Sequence, residues 1–547
     1  MSTTPATPSP SSQPLRDQFL TLPQRLNWSR MLLWAMALTV VATLLLPPIY
    51  LTLRAFEAGS AAVSALTRPS SWAIIGRTTL LSLSVTAASA LIAIPLAWLT
   101  VRSDVPLRRF WAVISALPLV IPSYVGAYLY ASALGPNGLL QQLLEPITGI
   151  TRLPSIYGFW GALFTLTMLS YPYMLLGAQA ALRRMDPTLE EIAASLGLNR
   201  LQTFLRVVLP QLRPALGAGG LLVALYVLRD FGAVAIMRYD TFTRVIFQQY
   251  RSFDRIQAAF FALLLVCLTL LLVALEMKTR GRASYDLVGV RATRAPTRTA
   301  LGAWRWPAFI FCAAIASLGM LLPATVLLYW LGRGLLGGES LGMLGPATWS
   351  ALGSSVAGAV VTVIAALPVA MLVVRQPGRL SALLERLTYA AFALPGIAVA
   401  LALVFFGITF ARWLYQSYAM LILAYMILFL PQAFGALHTA LRQLHPSLEE
   451  SARSLGRRPI QVFFQITLPL IRPGIIAGAS LVFLTAMKEL PATLLLAPIG
   501  VRTLATEVWT AVSEAYFTRA AAPALLLILC SSLPLALLSV REQKQHL

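Results

Sequence analysis

Two charged dipeptides, Arg229-Asp230 and Lys488-Glu489, interrupt apolar stretches long enough to cross a bilayer, and they lie 259 residues apart. A charge in mid-membrane costs roughly 2.5–3.5 kcal/mol on insertion scales, so such residues line a pathway or pair with one another. Neighbours on a helix point in different directions. Pairing is therefore expected between segments, Arg229 with Glu489 and Lys488 with Asp230. Two readings stay open: a gate or lining of a path through the membrane, or ion pairs that only tie segments together. Gly232 and Pro491, just beyond, are placed to break each helix.

Other chemistry is absent from the spacing. His438, His445 and His546 form no cluster, and Cys267, Cys312 and Cys530 are far apart within apolar runs. Neither metal site nor disulfide is expected, and the cysteines read as small buried hydrophobes. None of the three lysines (Lys278, Lys488, Lys544) completes G-x4-G-K-[ST], so the chain carries no P-loop of its own. No His/Asp/Glu constellation has catalytic spacing, which argues against an enzyme.

The elements that must position the charges follow from composition. Apolar residues make up 58% of the chain, charged residues 11%, and the mean hydropathy is +0.76. Soluble domains carry about 25% charged residues. The expected fold is an all-α integral membrane protein of about twelve spans. The first six cover approximately 31–53, 73–101, 110–134, 157–182, 213–236 and 256–277; the second six cover 306–330, 347–374, 387–411, 414–440, 472–497 and 520–540. Residues 1–30 read as a disordered Ser/Thr/Pro-rich tail, 278–305 as an Arg-rich linker, and 541–547 as a short tail. The net charge of +22 suits basic loops facing anionic lipid rather than a nucleic acid. With the N-terminus inside, about 28 of the 42 basic residues fall in inner segments, which places both termini in the cytoplasm.

Two loops nearly repeat. MDPTLEEIAASLGLNRLQTFLRVVLPQLRPAL (from Met185) and LHPSLEESARSLGRRPIQVFFQITLPLIRPGI (from Leu444) match at a constant offset of 259, which also relates the charged dipeptides. Upstream the offset grows to 273–277, so the first half carries extra residues near 135–156. Fixed-offset repetition marks two duplicated six-span units. In each loop Asp186 or His445 caps a short helix, the aspartate better than the histidine. Gly197 and Gly456 suit a left-handed C-cap. A second helix then runs to Leu-Pro, where Pro210 or Pro469 is expected to end it.

The pattern E-x-A-x3-G followed by L-P resembles the loop of binding-protein-dependent ABC importer permeases. It is met by Glu191, Ala193, Gly197, Phe204 and Pro210, and by Glu450, Ala452, Gly456, Phe463 and Pro469. Ile192 and Ser451 replace the middle alanine. In that family the loop docks into a groove of the ATPase. RDFGAVAIMRYDTFTRVIFQQY and MKELPATLLLAPIGVRTLATEVW resemble the ferric-iron branch, whose permeases are fused double-length chains; thiamine, phosphonate, polyamine and sulfate permeases are similar. The resemblance implies a bacterial inner-membrane subunit partnered by two copies of an ABC ATPase and a soluble substrate-binding protein. ATP and magnesium would bind the ATPase and no cofactor this chain. Arg238, Arg244, Arg251 and Arg255 would then offer a basic docking surface to a binding protein with acidic lobes, against the plainer reading of scattered solvated charge. An ion-coupled secondary carrier with two parallel halves is the rival from another class. The repeated loop has no task there.

Overall fold

The computed structural model describes residues 28–57, 59, 67–186, 188–279 and 299–545. The expected N-terminal tail through 27, most of the linker (280–298), Pro187 and the last two residues lie outside the described residues.

Among the described residues the chain is helical, with a single isolated bridge between Ser103 and Thr299. The first half comprises α1 (Trp28–Glu57), α2 (Pro69–Arg102), α3 (Arg108–Ile114), α4 (Ser123–Leu134), α5 (Leu139–Thr148), α6 (Phe159–Arg184), α7 (Thr188–Ser195), α8 (Arg200–Thr203), α9 (Leu209–Arg229), α10 (Gly232–Ile236), α11 (Phe242–Arg251) and α12 (Arg255–Thr279). The second half comprises α13 (Arg305–Ala316), α14 (Leu322–Leu336), α15 (Leu344–Arg375), α16 (Arg379–Ala390), α17 (Gly396–Phe410), α18 (Tyr418–Gln443), α19 (Pro446–Ser454), α20 (Pro459–Val462), α21 (Leu468–Leu470), α22 (Arg472–Lys488), α23 (Pro491–Leu496), α24 (Leu504–Ser513) and α25 (Phe517–Gln545). Among the described residues eight helices are long and apolar enough to cross a membrane, and up to eleven if each of three bent pairs is one span. The last expected span falls in α25, whose described apolar part ends at Ser532.

The expected third and ninth spans are not straight. Residues 108–120 meet 123–148 at 102°, and 379–393 meet 396–410 at 103°. A 3₁₀ turn precedes each break, Leu117–Val120 and Ala391–Ala393. Pro122 and Pro395 follow, lacking the N–H that would continue the helix. Pro172 and Pro431, by contrast, sit inside the unbroken α6 and α18. The extra residues of the first half form α5, whereas only a short turn links α17 to α18.

Each half lends its first span to the other. The core cluster holding Ala37, Val41, Leu44 and Leu51 of α1 is otherwise built largely from α15, α17 and α18, with α12 beside them. Trp34 Nε1 donates to Gln376 Oε1 at 3.0 Å, and the Tyr50 and Thr409 hydroxyls lie 3.2 Å apart. In return, Trp330 Nε1 of α14 donates to Ser132 Oγ at 3.1 Å. Tyr130 donates to the carbonyl of Leu318 at 2.8 Å, within a π turn spanning Ser317–Leu321. Interhelical hydrogen bonds in a bilayer average only about 0.6 kcal/mol. Register is therefore set mainly by apolar packing that runs across the halves.

Of the cysteines expected to be buried, Cys312 is buried, Cys530 is half-buried and Cys267 is exposed on the apolar outer face of α12. Small residues bring the fourth and fifth spans of each half together. A Cβ on Gly219 would lie 2.8 Å from Met174 Cα, and one on Gly478 would lie 3.3 Å from Ala433 Cα, the equivalent pair. Gly219→Val should destabilise by roughly 1–3 kcal/mol through overpacking. Thermal unfolding in detergent should show a lowered midpoint, whereas the same change at Gly217, whose Cβ would meet nothing within 4 Å, should not.

Candidate functional site

The repeated loops fold as two matching helix-turn-helix units. Asp186 Oδ1 accepts from the Thr188 amide at 2.9 Å and its hydroxyl at 2.7 Å, and these bonds hold the Asp186 carboxyl below its ordinary range. His445 does cap its helix: Nδ1 accepts from the Ser447 amide at 3.3 Å. Gly197 and Gly456 take φ of +81° and +83°, the left-handed turn that a side chain would strain. Ala193 and Ala452 are buried beneath the short helices, while Glu191 and Glu450 are exposed on them. Gln202 and Gln461 close the second turn, each accepting from the backbone amide three residues earlier.

The two prolines differ: the helix holding Pro469 ends at Leu470, as the sequence suggested, and the one holding Pro210 runs on. Pro210 does not end its helix, because residues 200–229 form one continuous span. A π turn at Phe204–Val208 widens the ladder just ahead of Pro210 and absorbs the missing N–H. The second copy has the same π turn at Phe463–Thr467, then bends by 67° at Ile471.

A pair of arginines was missed by sequence reasoning. Arg102 and Arg375 end α2 and α15, and each reaches the short helix of its own half. Arg102 is 1% exposed; its Nη2 donates to Met185 O at 3.1 Å and lies 3.3 Å from Glu190 Oε1. Arg375 Nη2 lies 3.0 Å from Glu449 Oε1 and both its terminal nitrogens donate to Leu444 O. The clamped carboxylates are Glu190 and Glu449, one residue before the exposed glutamates. Thr467 also donates to Glu449, at 2.9 Å; its counterpart is Val208, which has no hydroxyl. Burial lifts the Glu190 carboxyl above its ordinary range against the pull of Arg102. The signal was present in sequence as Glu-Glu in both copies and as arginines at the ends of two matched spans.

The charged dipeptides lie at the ends of membrane-length helices. α9 stops at Arg229 and α22 at Lys488; α10 and α23 restart at Gly232 and Pro491, as expected. The expected cross-half ion pairs do not form: among the described residues neither base lies within 4.0 Å of a carboxylate of the opposite half. Each base instead crosses to a backbone carbonyl. Arg229 Nη1 donates to Phe392 O at 3.0 Å and its guanidinium lies 5.5 Å from the Phe392 ring centroid. Lys488 Nζ donates to Leu119 O at 3.1 Å. Phe392 and Leu119 are equivalent positions in the 3₁₀ turns before the two breaks. Carbonyls freed at a helix C-terminus favour a cation.

The acids take the opposite ends. Asp230 Oδ1 accepts from the amides of Ala233 and Val234 and adjoins Ser123, the first residue of α4. Glu489 Oε1 accepts from Ala492 N at 3.3 Å and sits where a Cβ on Gly396, the first residue of α17, would be 2.5 Å away. At each broken span a base from one half thus holds the C-terminal side and an acid from the other half holds the N-terminal side. The anticipated partners, Arg229 with Glu489 and Lys488 with Asp230, do share a break, with a helix end between them.

The four outer arginines are largely engaged. Arg244 pairs with Asp240, which Arg77 also approaches at 3.5 Å. Arg238 lies 4.8 Å from the Tyr157 ring and Arg251 5.9 Å from that of Phe247. Arg255 opens α12.

The family described as binding-protein-dependent transport system inner membrane component matches twice, over residues 89–277 and 358–545. The chain belongs to this family. The permease is 36% identical over 504 residues to the Fe(3+)-transport system permease protein FbpB 2 of Haemophilus influenzae, covering 90% of this chain and 95% of that protein. It is 24% identical over 413 residues to the ferric transport system permease protein FbpB of Actinobacillus pleuropneumoniae, covering 71% of this chain and 59% of that protein. The sulfate transport system permease protein CysT of Salmonella typhimurium is 30% identical over 200 residues, 36% of this chain and 71% of that protein. Two family units in one chain match the internal repeat.

Removing one partner of a buried ion pair costs about 3–5 kcal/mol. Arg375→Ala, which leaves Glu449 with Thr467 and the more distant Arg453, should cost about 3 kcal/mol, at the low end because Arg375 is partly exposed. The exchange Arg375→Glu with Glu449→Arg should recover part of the loss in thermal unfolding; no recovery would show that the pair does not couple.

Proposed function

We propose that this permease is the membrane subunit of an ATP-driven importer of ferric iron, with hydrolysis carried out by a separate ATPase. The observation that carries the reading is the pair of matched, glycine-capped short helices, each presenting an exposed glutamate (Glu191, Glu450) beside a buried alanine. Two such helices in one chain fit two copies of an ATPase, which would bind ATP and magnesium. The iron assignment is supported by the names of the two ferric relatives. The balance of basic residues supports cytoplasmic tails at 1–30 and 541–547 and a cytoplasmic linker at 278–305, joining halves 31–277 and 306–540. A soluble binding protein would deliver iron at the outer face. There Arg238, Arg244 and Arg251 would have to exchange partners on docking, and Arg255 would have to leave the neighbourhood of Tyr250.

Arg229, Asp230, Lys488 and Glu489 act as the gate. Two bonds from base to carbonyl hold the halves together at the breaks, and parting the halves breaks both. Phe204 and Phe463, at the start of the π turns, would carry motion from the short helices into α9 and α22. No chemistry is performed by this chain beyond changing which face of the path is open.

The deciding experiment is co-purification with candidate ATPase subunits. Wild type should retain the ATPase, and the double change Glu191→Ala with Glu450→Ala should lose it while eluting as a folded permease. A wild-type chain that recruits no ATPase, yet takes up iron on an ion gradient, would establish the secondary-carrier reading instead.

A further inference from the structure

Two bases and two acids sit at the seam between the halves; the acids are tied within their own half, and only the bases reach across it. Arg229 and Lys488 are half-buried and reach across it to neutral carbonyls. Asp230 is 7% exposed, with Oδ1 committed to two amides. Glu489 is committed to the Ala492 amide and tempers Arg229 from beyond ion-pair distance. One turn further in, on the same helix faces, the lining is neutral. Tyr226 packs against Tyr173 with centroids 5.6 Å apart and the rings tilted by 49°, and at the equivalent place Thr485 donates to Gln432 at 3.1 Å. Leu222 and Leu481 follow, 39% and 40% exposed.

A bare trivalent cation would be repelled by the two bases that bridge the seam, while the acids there are tied into their own halves. An anion would meet two cationic donors held only by neutral acceptors, and a charge-assisted bond is roughly twice as strong as a neutral one. An anion can therefore take the bases from Phe392 O and Leu119 O, and doing so undoes both bonds that close the seam.

We propose that Arg229 and Lys488 form an anion-reading site in the gate, and that iron crosses as a negatively charged complex with oxygen ligands, such as phosphate or a polycarboxylate. The metal in this statement rests on the ferric reading above; the anion site rests on the seam alone. The relative named for sulfate transport shows that a permease of this family can serve an oxyanion.

The test uses the whole transporter, this chain with its ATPase and binding protein, in liposomes. Radiolabelled ferric iron is supplied with either radiolabelled phosphate or radiolabelled citrate as the sole counter-ligand. The anion label should enter with the iron and only with ATP, and the arm in which it does identifies the ligand. Arg229→Met or Lys488→Met should lower both labels roughly tenfold, as expected for a lost charged hydrogen bond, while Arg229→Lys and Lys488→Arg keep most of the uptake. Iron that enters without either anion, or methionine variants that transport at the wild-type rate, would overturn the proposal. If wild type shows no ATP-driven iron uptake, the ferric reading falls, and the anion site is decided on the purified chain in nanodiscs. Equilibrium binding of labelled phosphate that is lost in the double methionine variant upholds the site; no binding, or equal binding in both, removes it.

Discussion

A backbone group freed inside a bilayer has no water to turn to and costs several kcal/mol if left alone. The two bent spans create that problem by design. Pro122 and Pro395 interrupt the ladder within the third and ninth spans, and the chain turns through 102° and 103° there. Leu119 O and Phe392 O are closed by Lys488 and Arg229 from the opposite half. Neither half therefore closes the carbonyl at its own break. The need for backbone satisfaction becomes an attraction between halves, localised at two points and reversible by rotation of a side chain. Packing alone, which is spread over the whole seam, would not provide so defined a release.

The same economy governs the end of the bundle that carries the repeated loops. A short helix on a loop transmits force only if something rigid receives it. Arg102 and Arg375 supply this by tying the carbonyl before each short helix, and a carboxylate within it, to the last turn of a long span. Burying such a pair is costly in itself, so its presence in both halves is better explained by positioning than by stability. Motion of α7 or α19 must then move α2 or α15 as well as the span that follows through the π turn.

Much of this was legible in the sequence. Length, apolar content and the constant offset of 259 gave twelve spans in two units, and glycine positions gave the turns of the repeated loops, realised at φ of +81° and +83°. The charged dipeptides were legible as a site because charge in an apolar run has few innocent explanations. Their partners were not. Sequence shows side chains, so an ion pair was the natural expectation; the actual acceptors are carbonyls, which every residue carries and no pattern reveals. The role of Pro210 was misjudged for a related reason: a π turn can absorb a missing N–H, and its cost is set by packing rather than by local residue type. The exchange of first spans between halves was also invisible, since periodicity does not say which neighbour an apolar face will meet.

Fusion of the halves lets equivalent positions diverge, and the divergences are not scattered. Thr467 donates to Glu449, and its counterpart in the first half is Val208, so one clamp has a third member that the other lacks. Tyr173 and Tyr226 line the seam in one half where Gln432 and Thr485 line it in the other. α5 extends only the first half. What has stayed the same is the backbone-closing function of Arg229 and Lys488, although guanidinium has become ammonium. A carbonyl asks only for a donor of the right reach and sign, and either side chain supplies one. A bidentate carboxylate contact would have asked for the planar fork of arginine. The tolerance of that exchange across the repeat is what a base-to-carbonyl bond predicts, and a pair of cross-half salt bridges would have left less room for it.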